Sequence, residues 1–186
     1  MMYLSKGILL QKVQNTLFVS HCGSEYELSG ERAVVWESGR KGPRDIVNPD
    51  HVQILMELSK IGLTETNPDT GYEAVFRILV NCVICPVEMP AFQALWSQPE
   101  RRLYKWIANA GLRLTIAELV FLNEHQIEPT HQLLGEKNRQ LLTETIYTAN
   151  SISDGILESL MERSPKRDST INAVLGLLRR KMIFLV

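Results

Sequence analysis

The sequence predicts an α+β fold, mostly helical and built as two units, the first preceded by a small antiparallel sheet and the second almost all helical. Three observations predict it. Residues 7–28 alternate apolar and polar side chains between short polar breaks, the period of half-buried strands. Beyond Pro99, apolar residues recur at spacings of three and four, the period of helices with one buried face. Charge divides the chain in the same place. Residues 1–90 carry 8 Lys and Arg against 11 Asp and Glu, whereas residues 91–186 carry 12 against 10, so the halves suit different partners. The units are expected at 1–88 and 99–186, joined by a linker over 89–98 that Pro86, Pro90 and Pro99 punctuate.

Within the first unit, Gln14-Asn15 and Gly23-Ser24 mark turns between short strands. Ser29 is placed to cap a helix from Arg32 to Ser38 that Gly39 ends. Asn48-Pro49-Asp50 opens the next helix, with Val52, Ile54, Leu55, Leu58 and Ile61 on its apolar face up to Gly62. Leu63–Thr66 and Tyr72–Phe76 flank Asn67-Pro68-Asp69-Thr70-Gly71, the pattern of a strand, turn and strand. In the second unit, Met89–Trp96 is expected to hold a short helix. Pro99 starts a longer one through Ile107 to Gly111, and Thr115 with Glu118 forms a capping box for a helix over 116–123. Further helices are expected over about 132–147 and 156–161. A last one, about 168–180, leads into a terminal strand at Met182–Val186.

Helix, short break, helix and hairpin in succession is the order of a winged helix. On Tyr26-Glu27-Leu28-Ser29, the Val34-Val35-Trp36 helix and the helix from Asp50 to Leu63, the first 80 or so residues resemble the PqqD-like fold. That resemblance implies a surface of N-terminal strands and helix that binds a leader peptide. The second unit echoes the first. A shift of 120 residues lays Ile54, Leu55, Leu58, Lys60 and Leu63 over Val174, Leu175, Leu178, Arg180 and Ile183, so both units are expected to be winged-helix-like.

Composition bounds the function. With 186 residues, 45% of them apolar, the chain can bury about 70% of its unfolded surface without disulfides or metal. A net charge of −1 excludes a polycation that holds nucleic acid by bulk charge. No apolar run approaches the length of a membrane span, and three Cys point to reduced thiols, so a cytoplasmic protein is expected. Cys82-Val-Ile-Cys85 is half of a metal site. Cys22 beside His21, with His51, could extend it, but buried cysteines acting as small hydrophobes are the expectation, with no metal and no cofactor. His125 and His131 lie around Pro129 and read as a solvated connector. Neither a G-x-S-x-G elbow nor a phosphate-cradling glycine loop occurs, so catalysis is not expected.

The last 24 residues hold six cations against one carboxylate, Asp168. Arg163–Asn172 resembles the turn and second-helix start of helix-turn-helix regulators. That likeness implies that Lys166 and Arg167 hold phosphates while Ser169, Thr170 and Asn172 meet base edges, with Arg179 and Arg180 in the same basic face and Ala173 pointing outward. Leu103, Trp106 and Ile107 make a core stripe, with Arg101, Arg102 and Lys105 on its wet side. Asp50 and Glu57 on the equivalent first-unit helix repel phosphates, while the Arg40-Lys41-Gly-Pro-Arg44 loop could still touch a backbone. The chain is thus expected to be a homodimeric, non-enzymatic DNA-binding regulator, paired through Met182–Val186 or the 132–147 helix. The alternative is a peptide- or protein-binding module that touches no DNA.

Overall fold

The computed structural model describes residues 1–87, 97–109, 114–124, 126–127 and 165–186. Residues 89–96 of the expected linker, with the Met89–Trp96 helix they were expected to hold, the helices over 132–147 and 156–161, and both His125 and His131 lie outside them, whereas Gln98, expected in the linker, already belongs to a helix. Among the described residues are six helices and small antiparallel sheets. None of those helices is long and apolar enough to cross a membrane.

Strand β1 (Met2–Ser5) is followed by a meander of β2 (Ile8–Val13), β3 (Thr16–His21) and β4 (Ser24–Ser29), turning at Gln14-Asn15 as expected and at Cys22-Gly23, one residue before the expected Gly23-Ser24. Then come α1 (Gly30–Gly39), β5 (Arg44–Asp45), α2 (His51–Lys60), β6 (Thr64–Asn67) and α3 (Tyr72–Val80). The second set runs β7 (Val83–Pro86), α4 (Gln98–Asn109), β8 (Leu114–Thr115), α5 (Ile116–Glu124), α6 (Pro165–Arg179) and β9 (Ile183–Leu185). Two of the three sheets share one plan. In β5-β1-β6 and in β8-β7-β9 the earliest strand is central, and a two-residue strand and the latest strand flank it, both antiparallel.

The hairpin expected over residues 63–76 does not form. β6 pairs with β1, and Tyr72–Phe76 opens helix α3, because Ala74 and Ile78, then Phe76 and Leu79, fall on a face that is buried at helical spacing. Burial there overrides the strand preference of Tyr, Val and Phe.

Two apolar clusters organise the molecule, and β1 separates them. Its side chains alternate, so Tyr3 joins the cluster of Leu17, Val19, Val35, Trp36, Leu55 and Leu58, while Met2 and Leu4 join the other with α3 to α6. Residues 72–86, expected in the first unit, therefore pack and pair with the second set of elements. Gly7 N–H donates to Leu185 O at 2.6 Å, a further link between the sets.

Helix ends follow their chemistry unevenly. Thr115 and Glu118 exchange hydrogen bonds as a capping box (Thr115 N–H to Glu118 Oε2, 2.9 Å; Glu118 N–H to Thr115 Oγ1, 3.2 Å), and Ser97 with Glu100 does the same at α4. Ser29 makes no side-chain cap. At α2, Asn48 Oδ1 accepts from Asp50 N–H in an Asx turn, while Asp50 itself caps nothing.

α2 and α6 end identically. Leu63 N–H bonds Leu58 O and Gly62 N–H bonds Ser59 O, while Met182 N–H bonds Leu177 O and Lys181 N–H bonds Leu178 O, a pair of Schellman motifs. Gly62 thus corresponds to Lys181, and the halves align at 119 residues rather than 120. That register also matches Leu55 with Val174 and Leu58 with Leu177, all fully buried.

Candidate functional site

Helix α6 carries most of the residues expected to read DNA, and packing sorts them. Ser169, Asn172, Arg179 and Arg180 are exposed. Arg167 is not. It is 5% exposed, its guanidinium carbon lies 5.3 Å from the centroid of the Phe76 ring, and its Nε is 3.4 Å from Asp168 Oδ1. Thr170 is buried and accepts a hydrogen bond from Asn123 Nδ2 at 2.7 Å, and Ala173 is buried as well. Two neighbours cover the first turns of α6: α3, whose Phe76 lies under Arg167 and whose Tyr72 hydroxyl donates to Asp168 O, and α5, whose Asn123 holds Thr170. Arg180 pairs with Glu100 at 3.5 Å. The side chain of Lys166 lies outside the described residues. As expected, Val174, Leu175 and Leu178 are core.

The terminal segment is interior too. Met182, Ile183 and Leu185 are buried in the β7–β9 pairing, which removes them as a dimer seam. The Leu103, Trp106 and Ile107 stripe is buried with Arg101, Arg102 and Lys105 outside, and Arg102 stacks over Trp106.

A different basic site forms where the two sets of elements meet. A cleft of about 570 Å³ lies between α1 and β5 on one side and the end of α6 with β9 on the other. Its cations are Arg40, Lys41, Arg44 and Lys181, and its one carboxylate is Glu37. Two of these groups, Arg40 and Glu37, are held in place by their neighbours. Arg40 follows α1 and lies over the buried Trp36 ring, 5.1 Å from its centroid, and Trp36 Nε1–H is fixed on Lys6 O at 3.0 Å. Burial pushes the Arg40 guanidinium below its ordinary range, and Glu37 works against that shift. The hydrogen bond from Lys12 (2.8 Å) holds Glu37 below the usual carboxylate range, with Arg40 and Lys181 adding to it.

Lys41, Arg44 and Lys181 are exposed, with no ion-pair partner among the described residues. Between the cations the wall is apolar. Ile8, Leu9, Leu178 and Phe184 line it, and Val34 stands 62% exposed. The sequence had marked the Arg40–Arg44 loop, but not its meeting with Lys181, which depends on a contact across more than 130 residues.

The cysteines divide by burial. Cys82 Sγ–H donates to Ile78 O at 3.3 Å, and burial pushes its thiol up to about 12, so it packs as a small hydrophobe. Cys85 is buried and Cys22 exposed. Among the described residues, no group of three His, Cys, Asp or Glu is placed to hold a metal ion. His21 is buried with Nδ1 unbonded, and its Nε2 lies 3.5 Å from Cys22 Sγ.

No family model matches the chain, and neither a curated protein nor a solved structure matches it.

Proposed function

We propose that the chain is a non-catalytic binding module, made of two winged-helix-like units, that holds a segment of another protein in the cleft between them. The single observation behind this reading is the cleft itself. It combines spread cations with exposed apolar side chains, a mixture that suits a peptide, and its volume falls in the range of ligand sites. The strand order around each central strand supports the winged-helix description of both units. The implied peptide-binding role of the PqqD-like resemblance agrees with the same class of partner.

DNA binding through α6 is the weaker reading, because Arg167 and Thr170, two of the residues it requires at the duplex, are interior. A displayed library of random twelve-residue peptides, selected on the immobilised chain and followed by titration of synthetic winners, tests the proposal. Saturable binding of selected peptides is expected, together with no binding of random duplex DNA at low salt. Failure to select any peptide, with duplex binding that weakens steeply as salt rises, would reverse the choice.

A further inference from the structure

We infer that the cleft selects acidic segments, and that Lys181 is the residue that sets this preference. The inference rests on the binding reading above and names the chemistry of the ligand. Charge complementarity carries it. Arg40, Lys41, Arg44 and Lys181 outnumber Glu37 at the cleft, and Glu37 is already engaged by Lys12 at 2.8 Å. The apolar wall next to them, Val34 above all, favours a segment that alternates carboxylates with aliphatic side chains.

Lys181 differs from the other cations of the cleft in its backbone. Its φ is +59°, the left-handed region, at the position in the Schellman turn where the matching helix has Gly62 at +78°. A lysine there pays a conformational cost that glycine avoids. Its side chain lines the cleft, so the strained position delivers the second set's one cation to a rim otherwise supplied by α1, the loop after it and β5.

The test uses the full chain and three fluorescein-labelled heptapeptides: Glu-Ile-Glu-Val-Glu-Ile-Glu, the same peptide with every Glu replaced by Gln, and the same with every Glu replaced by Lys. Anisotropy titrations should show the Glu peptide binding at least ten-fold more tightly than the Gln peptide, with no binding of the Lys peptide. Lys181→Gly should weaken the Glu peptide at least five-fold while raising the thermal midpoint, and Lys41→Gln should weaken it without raising the midpoint. Equal affinity for the Glu and Gln peptides, or a Lys181→Gly chain that binds the Glu peptide normally, overturns the inference. If peptides selected from the random library bind under either of those outcomes, the binding reading survives without it. If no peptide of either kind binds, both fall.

Discussion

Replacing Arg167 separates a buried structural cation from a solvated phosphate contact. In the structure only 6% of its side chain is accessible, the guanidinium covers Phe76 of α3, and Nε faces Asp168, whose side chain is 37% exposed. Arg167→Ala removes the stacking, a contact that contributes from about 1 kcal/mol at an exposed site to about 2 kcal/mol at a desolvated one. It also removes the aliphatic stem packed beneath the guanidinium. The carboxylate left behind keeps much of its hydration, so the penalty of a stranded charge is small beside that of a fully buried pair. The total is about 2 kcal/mol of lost stability, or a thermal midpoint roughly 4–8 °C lower for a chain of this size. Arg167→Met, which keeps a long apolar stem, should restore about half. Urea unfolding followed by circular dichroism measures both. A loss below about 0.5 kcal/mol for Arg167→Ala, the level of an ordinary surface change, would show that the side chain is solvated and that α3 does not cover α6.

Two further outcomes follow from burial. At pH 8 iodoacetamide should modify the folded chain at Cys22 alone, because Cys82, with its thiol pushed up to about 12, holds a thiolate fraction on the order of one in ten thousand, and Cys85 is buried. Rapid alkylation of Cys82 in the native protein contradicts this. His21 should make the chain acid-sensitive. Burial first, then Lys6, lowers its pKa, so below about pH 6.5 the unfolded chain takes up a proton that the folded chain refuses. Its effect is absent above that pH, and stability falls as the pH drops from about 6.5 toward the lowered folded value. His21→Gln should flatten that slope between pH 7.5 and 5.5 in urea unfolding. An equal acid loss in both proteins would rule His21 out.

Local rules reached the features whose causes are local. The Thr115 and Glu118 capping box, the Leu103–Trp106–Ile107 stripe and the turn at 14–15 all depend on residues within a few positions of one another, and all are present, while the turn expected at 23–24 falls one residue earlier, at 22–23. Tyr72–Phe76 was misread as a strand because its composition favours one, whereas its state is set by apolar partners on β1 and α6 that no short window contains. Arg167 was misread for the same reason, since the ring it covers is 91 residues away. The cleft was legible only as a basic loop at 40–44. Its volume and its fourth cation come from tertiary packing.

The comparison of Gly62 with Lys181 shows how one turn can serve two ends. Both close a helix with the same two hydrogen bonds and lead into a strand that flanks a central one. At Gly62 a Cβ would lie 3.1 Å from His21 Nε2, so a side chain there would press on a buried imidazole as well as strain the backbone. Crowding and conformation both hold glycine in the first set. At 181 the side chain stands in the cleft, exposed, and only the backbone cost opposes it. That cost is about 1 kcal/mol for one left-handed residue, small against the stability of a folded chain, and Gln14, Cys22 and Gln126 carry it too. The same turn thus excludes a side chain at 62 and admits one at 181, where it sets a charge in the cleft, and this is the point at which the two helix ends differ.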